Sequence, residues 1–393
     1  MKIVELFAGY GSQALALRNL GIEFTSDISE IDKYAIKAYN QIHGKTRNYG
    51  DITKIESLDY YDLWTYSFPC QDLSFAGKKA GIKQGTRSGL LYEVERLLED
   101  AVENNKQPKY MLLENVKALV SKKFMPDFQL WLNKLDEFGY NNYWQVLNAK
   151  DYGIPQNRER VFVISIRKDV DTKGYKFPSS VPLQKRLKDM LEPCVDEKYY
   201  LSADKVEKLT TQIKEISNTI RCGGRSSLDG KYTWDIIAET FIVDDTQGFD
   251  GVRCYNNYSP ILRSERSGLK ILEPKVIQIG NIVSTGNWDN PQRGRIYSYE
   301  GCSPALNCVG GGGLEPKILE ENIKNYRIRK LTARECFRLM GVKDEQFDRL
   351  SGISNSQLYK LAGNSIVVNV LEAIFRNLFI ETNIEKTGQL DLF

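Results

Sequence analysis

The sequence predicts an α/β protein with a parallel sheet, interrupted by a smaller insert of mostly β or irregular structure. Three observations carry this. Strand-like and helix-like patterns alternate through residues 1–170, as they do where each parallel strand needs a crossover. The alternation breaks down over 171–327, where short apolar pieces are separated by Gly, Asn, Ser and Pro. Helical patterning then returns from residue 328.

The elements follow in order. Ile3–Phe7 is an apolar run with one acid, leading into Ala8-Gly9-Tyr10-Gly11. Leu15, Leu17 and Leu20 mark a helix, Phe24–Ile28 a second strand, and Tyr34, Ala35, Ala38 and Tyr39 the face of a second helix. Leu63–Phe68 reads as a third strand. Leu91–Val102 is a helix with Val94, Leu97, Leu98, Ala101 and Val102 on one face. Tyr110–Val116 is nearly continuous in apolar content, as a buried parallel strand should be. Phe124, Phe128, Trp131, Leu132 and Leu135 give another helical stripe, before strands at Tyr143–Leu147 and Val161–Ile166. Within the insert, Val276–Ile279 and Arg295–Tyr299 are short strands, and after it Thr332–Met340 and Val367–Phe379 are helices. Residues 217–224, 258–262 and 302–306 echo one another, a recurrence that suits stacked hairpins as well as duplication.

Composition narrows the function. A length of 393 residues predicts two or three domains. With 41% apolar and 27% charged residues, collagen-like and disordered classes are excluded. No signal-peptide core follows Met1 and no 18-residue apolar run occurs, so a soluble, intracellular chain with reduced thiols is expected. The 7 cysteines form no C-x-x-C pair and His43 is the single histidine. Zinc therefore has few ligands, and a histidine-based triad would rest on one residue. The chemistry is expected to run through other groups, with no metal. A net charge of +3 neither demands nor excludes a nucleic-acid partner. Residues 251–314, however, hold seven basic residues against four acidic, which puts a surplus among the loops of the insert.

Four segments carry chemistry. Phe7-Ala8-Gly9-Tyr10-Gly11 follows a strand, where glycines permit a tight turn and close backbone approach to a nucleotide. It lacks the three-glycine dinucleotide fingerprint. Near the next two strand ends, Glu30 is placed for a ribose diol, and Asp51 with Ile52 to flank an adenine. Phe68-Pro69-Cys70-Gln71 puts a cysteine at the end of a strand, where α/β proteins place reactive groups. The loop after it is polar and basic, through Ser74, Gly77, Lys78, Lys79 and Arg87. Glu114-Asn115-Val116 and Gln156-Asn157-Arg158-Glu159-Arg160 are two more strand-end constellations, expected to converge with Cys70.

In this order the segments resemble the DNA (cytosine-5)-methyltransferase family of bacterial, phage and restriction–modification type. Phe7–Gly11 matches its F-x-G-x-G loop, Phe68–Gln71 its nucleophile motif, Glu114–Val116 its E-N-V motif and Gln156–Arg160 its Q-x-R-x-R motif. Arg329-Lys330-Leu331-Thr332-Ala333-Arg334-Glu335-Cys336 resembles R-x-L-T-x-R-E-x, and Gly363-Asn364-Ser365-Ile366-Val367 the closing G-N-S-V motif. The likeness covers nearly all of 1–170 and 328–380. It implies a Rossmann-like catalytic domain of 1–170 plus 328–393, with 171–327 as an inserted target-recognition domain. The chain departs from the family at Ile31, where an adenine-stacking aromatic is common, and at Ala305-Leu306, where Thr-Leu is common.

The resemblance implies S-adenosylmethionine as cofactor, leaving as S-adenosylhomocysteine. Its site would comprise Phe7, Ala8, Gly9, Gly11, Glu30, Ile31, Asp51, Ile52, Asn364 and Ser365, the last two also tying the returning segment to this domain. Cys70 would attack cytosine C6, Glu114 would hold N3 and the exocyclic amine, Arg160 would contact O2, and Arg158 would position phosphate or the loop. The partner would be double-stranded DNA with its cytosine flipped out. Loop residues Gln71, Ser74, Lys78, Lys79 and Arg87 would clamp phosphates, and Arg221, Arg225, Gln292, Arg293, Arg295 and Asn307 would meet base edges or phosphates. A monomer without membrane attachment fits this type, and a restriction endonuclease acting at the same site is left open. Two rivals are an RNA cytosine-5 methyltransferase of this fold, whose recognition region is shorter, and a catalytically silent DNA-binding protein, which would not need Cys70, Glu114 and Arg160.

Overall fold

A computed structural model describes residues 1–68, 88–200, 241–244, 253–256, 269–271, 278–281, 295–297, 302–304, 306, 317–322 and 325–381. Its contacts divide the chain into two compact units. The first is Met1–Ile154, Arg158–Leu183 and Phe337–Phe393, and the second is Pro155–Asn157 and Gln184–Cys336.

The first unit is built on strands β1 (Lys2–Leu6), β2 (Thr25–Ser29), β3 (Leu63–Tyr66), β4 (Tyr110–Val116) and β5 (Tyr140–Asn148). Strand β6 (Gln156–Asn157) belongs to the second unit, and β7 (Glu159–Arg167) completes the first unit's sheet. The order is β2-β1-β3-β4-β7-β5. Strands β1 to β4 are parallel, with Val4 opposite Trp64 and Trp64 opposite Met111. The chain leaves β1 for β2 on one side and then places β3 on the other. Such a reversal of strand order marks, at the carboxyl ends of the strands, the place where α/β sheets bind ligands.

Strand β7 departs from the parallel sheet expected. It runs antiparallel to both β4 and β5. The cause is the connection over 149–158, which holds only a short 3-10 turn, Ala149–Tyr152, and the two residues of β6. A parallel crossover takes a dozen or more residues, so the chain folds straight back. Strand β5 also begins three residues earlier than its apolar pattern indicated, taking in Tyr140, Asn141 and Asn142 at the edge of the sheet.

Helices α1 (Ser12–Asn19), α2 (Lys33–His43), α3 (Leu91–Glu103) and α4 (Met125–Glu137) fill the crossovers. In α3 the buried residues are Leu91, Val94, Leu97, Leu98 and Ala101, one stripe at helical spacing. They join Phe128, Trp131 and Leu135 of α4 against Val4, Leu6, Trp64, Tyr66, Met111, Leu113, Val161 and Val163 on one face of the sheet. The alternate positions Ile3, Leu63, Leu112 and Ile164 are also fully buried, so both faces are covered. Helix α2 starts where the Asp32 carboxylate accepts the amide of Tyr34 at 2.8 Å.

The returning segment carries α5 (Ala333–Arg338), α6 (Asp344–Phe347), α7 (Asn355–Asn364) and α8 (Val368–Phe375). Asn19 at the end of α1 donates to Glu372 of α8 at 2.7 Å. Although the sequence has no unbroken 18-residue apolar run, Asn355–Glu381 is long and apolar enough to cross a membrane by composition. It is two helices parted by extended backbone at Ser365 and Val367, and 67% of its apolar window is buried, as expected of core.

In the second unit, β8 (Phe241–Asp244), β9 (Arg253–Asn256) and β10 (Leu269–Ile271) form an antiparallel sheet in the order β10-β8-β9. Another sheet orders β11 (Gln278–Asn281), β12 (Arg295–Tyr297), β14 (Lys317–Asn322) and β15 (Asn325–Lys330), with only β12 and β14 parallel. Strand β13 (Ser303–Pro304) pairs with β6. Here the R-x-L-T-x-R-E segment is an internal clasp. Arg329 and Glu335, both fully buried, form a fork of two 2.8 Å bonds. Glu335 also accepts the amides of Thr332 and Glu192, at 2.7 and 2.8 Å. The echoes at 217–224 and 258–262 lie outside the described residues.

Candidate active site

The site grows from the loop after β1. Phe7, Gly9 and Gly11 have φ of 62°, +58° and +83°, three left-handed residues in five. Glycine is needed at Gly11 for a second reason. A Cβ there would lie 2.5 Å from His43 Nε2 and 2.6 Å from Tyr39 Cε2. At Gly9 a Cβ would meet Ser365 Oγ at 3.9 Å, which places the returning segment beside the loop. Phe7 carries the strain of a side chain in this region, of order 1–3 kcal/mol, and its amide is held by Ser29 O at 2.9 Å.

Glu30, at the end of β2, closes the corner. One carboxylate oxygen accepts the Gly9 amide at 2.9 Å, and the other accepts those of Ile31 and Asp32, both at 2.8 Å. A carboxylate has about four lone-pair positions, so room is left for a hydroxyl. Ile31 is 73% exposed, an aliphatic surface beside that carboxylate. Asp51 accepts from the amide and hydroxyl of Thr53, at 3.0 and 2.9 Å. Ile52 differs from expectation: its side chain is packed in the core with Ile55, Leu58 and Tyr61. Asn48, which sequence reasoning missed, joins the two acid-bearing segments. Its amide group donates to Glu30 O at 3.0 Å, and its side-chain oxygen accepts the amides of Glu30 and Gly50 at 3.1 and 2.9 Å. An asparagine in a polar loop carries no sequence signal for that role.

A second cluster sits at the carboxyl end of β4. Glu114 is buried, and Arg160 Nε lies 3.2 Å from its Oε1. Burial pushes the Glu114 carboxyl above the ordinary range, with Arg160 and Arg158 opposing. The reversal of β7 makes the pair possible. Arg160 is the second residue of its strand and stands opposite Val116, and only in an antiparallel strand does a beginning meet the end of β4. Asn115 donates to Phe68 O at 3.2 Å, so β4 grips the chain two residues before Cys70 in sequence.

Arg158, expected to position phosphate or the loop, is only 4% exposed. Its guanidinium donates to Gly363 O at 2.9 Å and Ser365 O at 2.8 Å, so it holds the returning segment from within. Ser365 Oγ donates to Leu361 O at 2.6 Å, while Asn364 ends α7 with its side chain exposed. Cys70, Gln71, Ser74, Lys78, Lys79, Arg87, Arg221, Arg225, Gln292, Arg293 and Asn307 lie outside the described residues. Arg295 opens β12. Among the described residues no group of three or more His, Cys, Asp or Glu could hold a metal ion.

Residues 1–380 match the family model described as C-5 cytosine-specific DNA methylase. The chain is 32% identical to the orphan methyltransferase M.SPRI of Bacillus phage SPR, over 99% of each protein. It is also 32% identical to the type II methyltransferase M2.ScrFI of Lactococcus lactis subsp. cremoris, over 96% of this chain and 99% of that protein. Among solved structures, the S. pombe Dnmt2 methyltransferase aligns over 98% of this chain and 99% of that one, with a TM-score of 0.62 at 20% identity.

Proposed function

The chain belongs to the C-5 cytosine-specific DNA methylase family and is a DNA methyltransferase; on that premise we propose that it methylates carbon 5 of a flipped-out cytosine in a short duplex sequence, through a covalent bond between Cys70 and carbon 6. The observation that carries this reading is the Glu114–Arg160 pair, a buried carboxyl raised in pKa beside a guanidinium.

Cytosine C5 is a weak nucleophile. Addition of the Cys70 thiolate to C6 makes C5 enamine-like and splits one hard step into two easier ones. Glu114, held toward its protonated form, hydrogen-bonds or protonates N3 as charge builds there. Arg160 binds O2 and keeps Glu114 in line. After transfer a base removes the C5 proton, the electron pair restores the C5–C6 double bond, and the Cys70 thiolate leaves.

The residues around the β1 loop fit S-adenosylmethionine. Left-handed backbone at Gly9 and Gly11 allows close approach, Glu30 keeps an acceptor position for a ribose hydroxyl, and Ile31 offers an apolar face to a ring. When bound there, the sulfonium supplies an electrophilic methyl group. Because the Ile52 side chain is in the core, its edge and backbone are what remain for an adenine.

The second unit is proposed as the reader of the target sequence, with Arg221, Arg225, Gln292, Arg293, Arg295 and Asn307 as candidates at base edges. The basic run after Cys70 is its phosphate clamp. We place the protein in the cytoplasm as a monomer acting at short DNA sites, with or without an endonuclease cutting the same site. The test is methylation-sensitive sequencing of DNA exposed to purified protein and S-adenosylmethionine. 5-Methylcytosine at one short motif is expected; a product confined to RNA, or no modified cytosine, overturns the reading.

A further inference from the structure

Two titratable groups, Glu5 fully buried and His43 partly so, have no part in this chemistry, and both lie beneath the glycine loop. Glu5 is fully buried in the middle of the sheet. Its Oε1 accepts the Tyr39 hydroxyl at 2.7 Å, and its Oε2 accepts the Ala14 amide in the first turn of α1 at 3.3 Å. Tyr39 in turn takes a hydrogen bond from Ser26 at 2.9 Å, and its ring lies 4.5 Å from that of His43, centroid to centroid. His43 Nε2 is 3.0 Å from the carbonyl of Tyr10, inside the loop. A carbonyl only accepts, so Nε2 carries the hydrogen and the ring is neutral or protonated with Nε2–H in place. The same two rings form the floor that excludes any side chain at Gly11. An unbroken path thus runs from the β1 carboxylate through α2 to the backbone of the cofactor loop.

We propose that Glu5 and His43 are positioning residues for the cofactor: Glu5 acts through Tyr39 and the Ala14 amide, and His43 through the Tyr10 carbonyl, to hold Phe7–Gly11 in its ligand-ready shape. This rests on the assignment of that loop to S-adenosylmethionine. A loop held in one shape before binding spends no free energy on ordering, and loss of the brace appears as weaker cofactor affinity with the chemical step untouched. His43→Gln retains a donor for the Tyr10 carbonyl, whereas His43→Leu does not. Glu5→Gln retains an acceptor for Tyr39 but presents a donor to the Ala14 amide.

The experiment is calorimetric titration of the full-length protein and its variants with S-adenosylhomocysteine, alongside KM for S-adenosylmethionine, KM for DNA and kcat. His43→Leu and Glu5→Gln should weaken binding roughly fivefold to tenfold, the value of one hydrogen bond. His43→Gln should stay within about twofold of wild type on the same scale. KM for S-adenosylmethionine should follow the binding, with kcat and KM for DNA unchanged. If Glu5→Gln does not fold, Tyr39→Phe, which removes only the hydroxyl, takes its place with the same expectation. Unchanged binding in His43→Leu, or a parallel fall in kcat and affinity for both substrates, overturns the proposal. Wild-type protein that binds no S-adenosylhomocysteine overturns the cofactor-loop assignment itself.

Discussion

Glu114 and Arg160 are diagonal neighbours on an antiparallel strand pair: Glu114 stands opposite Phe162, and Arg160 lies two residues from Phe162 on the same face. The register, more than a flexible side chain, puts Nε 3.2 Å from Oε1. Glu114→Gln should therefore slow single-turnover methylation at least roughly tenfold, the low side of what a positioned acid–base group supplies. Rapid-quench measurement at saturating cofactor and DNA checks it, and an unchanged rate would refute the role of Glu114. Arg160→Lys should also lose rate, since an ammonium cannot keep the planar guanidinium geometry.

Cys70→Ala should abolish methyl transfer and leave cofactor and duplex binding in place. Filter binding and transfer of a labelled methyl group, measured on the same preparation, separate the two. Retained turnover in this variant would exclude the covalent route.

Duplex affinity should fall steeply with salt, because each neutralised phosphate releases condensed counterions with a slope of about 0.9 per contact. Removing Lys78, Lys79 and Arg87 together should lower that slope by up to about three. Anisotropy titrations across a salt series give the slope, and a flat series would rule out the clamp.

Glu5 predicts a pH dependence of stability. Burial pushes its pKa from 4.5 to about 7, with the hydrogen bonds from Tyr39 and Ala14 opposing. Between those values the native state keeps a proton that the unfolded chain has released, so stability falls as pH rises and levels off above about 7. His43 works in the other direction. Burial lowers its pKa to about 4, so its contribution to stability is lost as pH falls from the ordinary histidine range. Comparison with Glu5→Gln cancels the His43 part. From acid to neutral pH the stability difference should shift by about 3 kcal/mol in the variant's favour. Urea unfolding at a series of pH values measures it.

In the second unit, Arg329 and Glu335 form an ion pair with both side chains fully buried. Removing one partner, as in Arg329→Met, strands a charge and should cost about 3–5 kcal/mol. The double replacement Arg329→Met with Glu335→Leu should recover much of that loss, because no buried charge remains. Denaturation of the full chain followed by near-ultraviolet dichroism checks both.

The alternation of the first 170 residues was legible because amphipathic period and apolar runs are local, and the glycine loop, Glu30 and Glu114 sit at ends that those patterns mark. The direction of β7 was not, since an apolar run reads the same for either orientation. The brevity of 149–158 was the available clue. Arg158 and Asn48 were opaque for another reason: their partners are backbone atoms supplied by distant segments. Ile52 carried an adjacent acid as its signal, yet its side chain was claimed by the core. Glu5 stood out as an acid in an apolar run, and only its neighbours Tyr39 and Ala14 give that oddity a use.

Helix α1 meets Glu372 of α8 across 353 positions of chain, with the whole second unit encoded between them. At about 5–20 residues per second, synthesis of that stretch takes roughly 20–70 s. Through that interval Asn19 of α1 has no Glu372 to hold, and Arg158, once made, waits for the Gly363 and Ser365 carbonyls. A half-made chain thus carries polar groups whose partners are not yet made. The first unit therefore completes its own fold only after the residues of the second have been made.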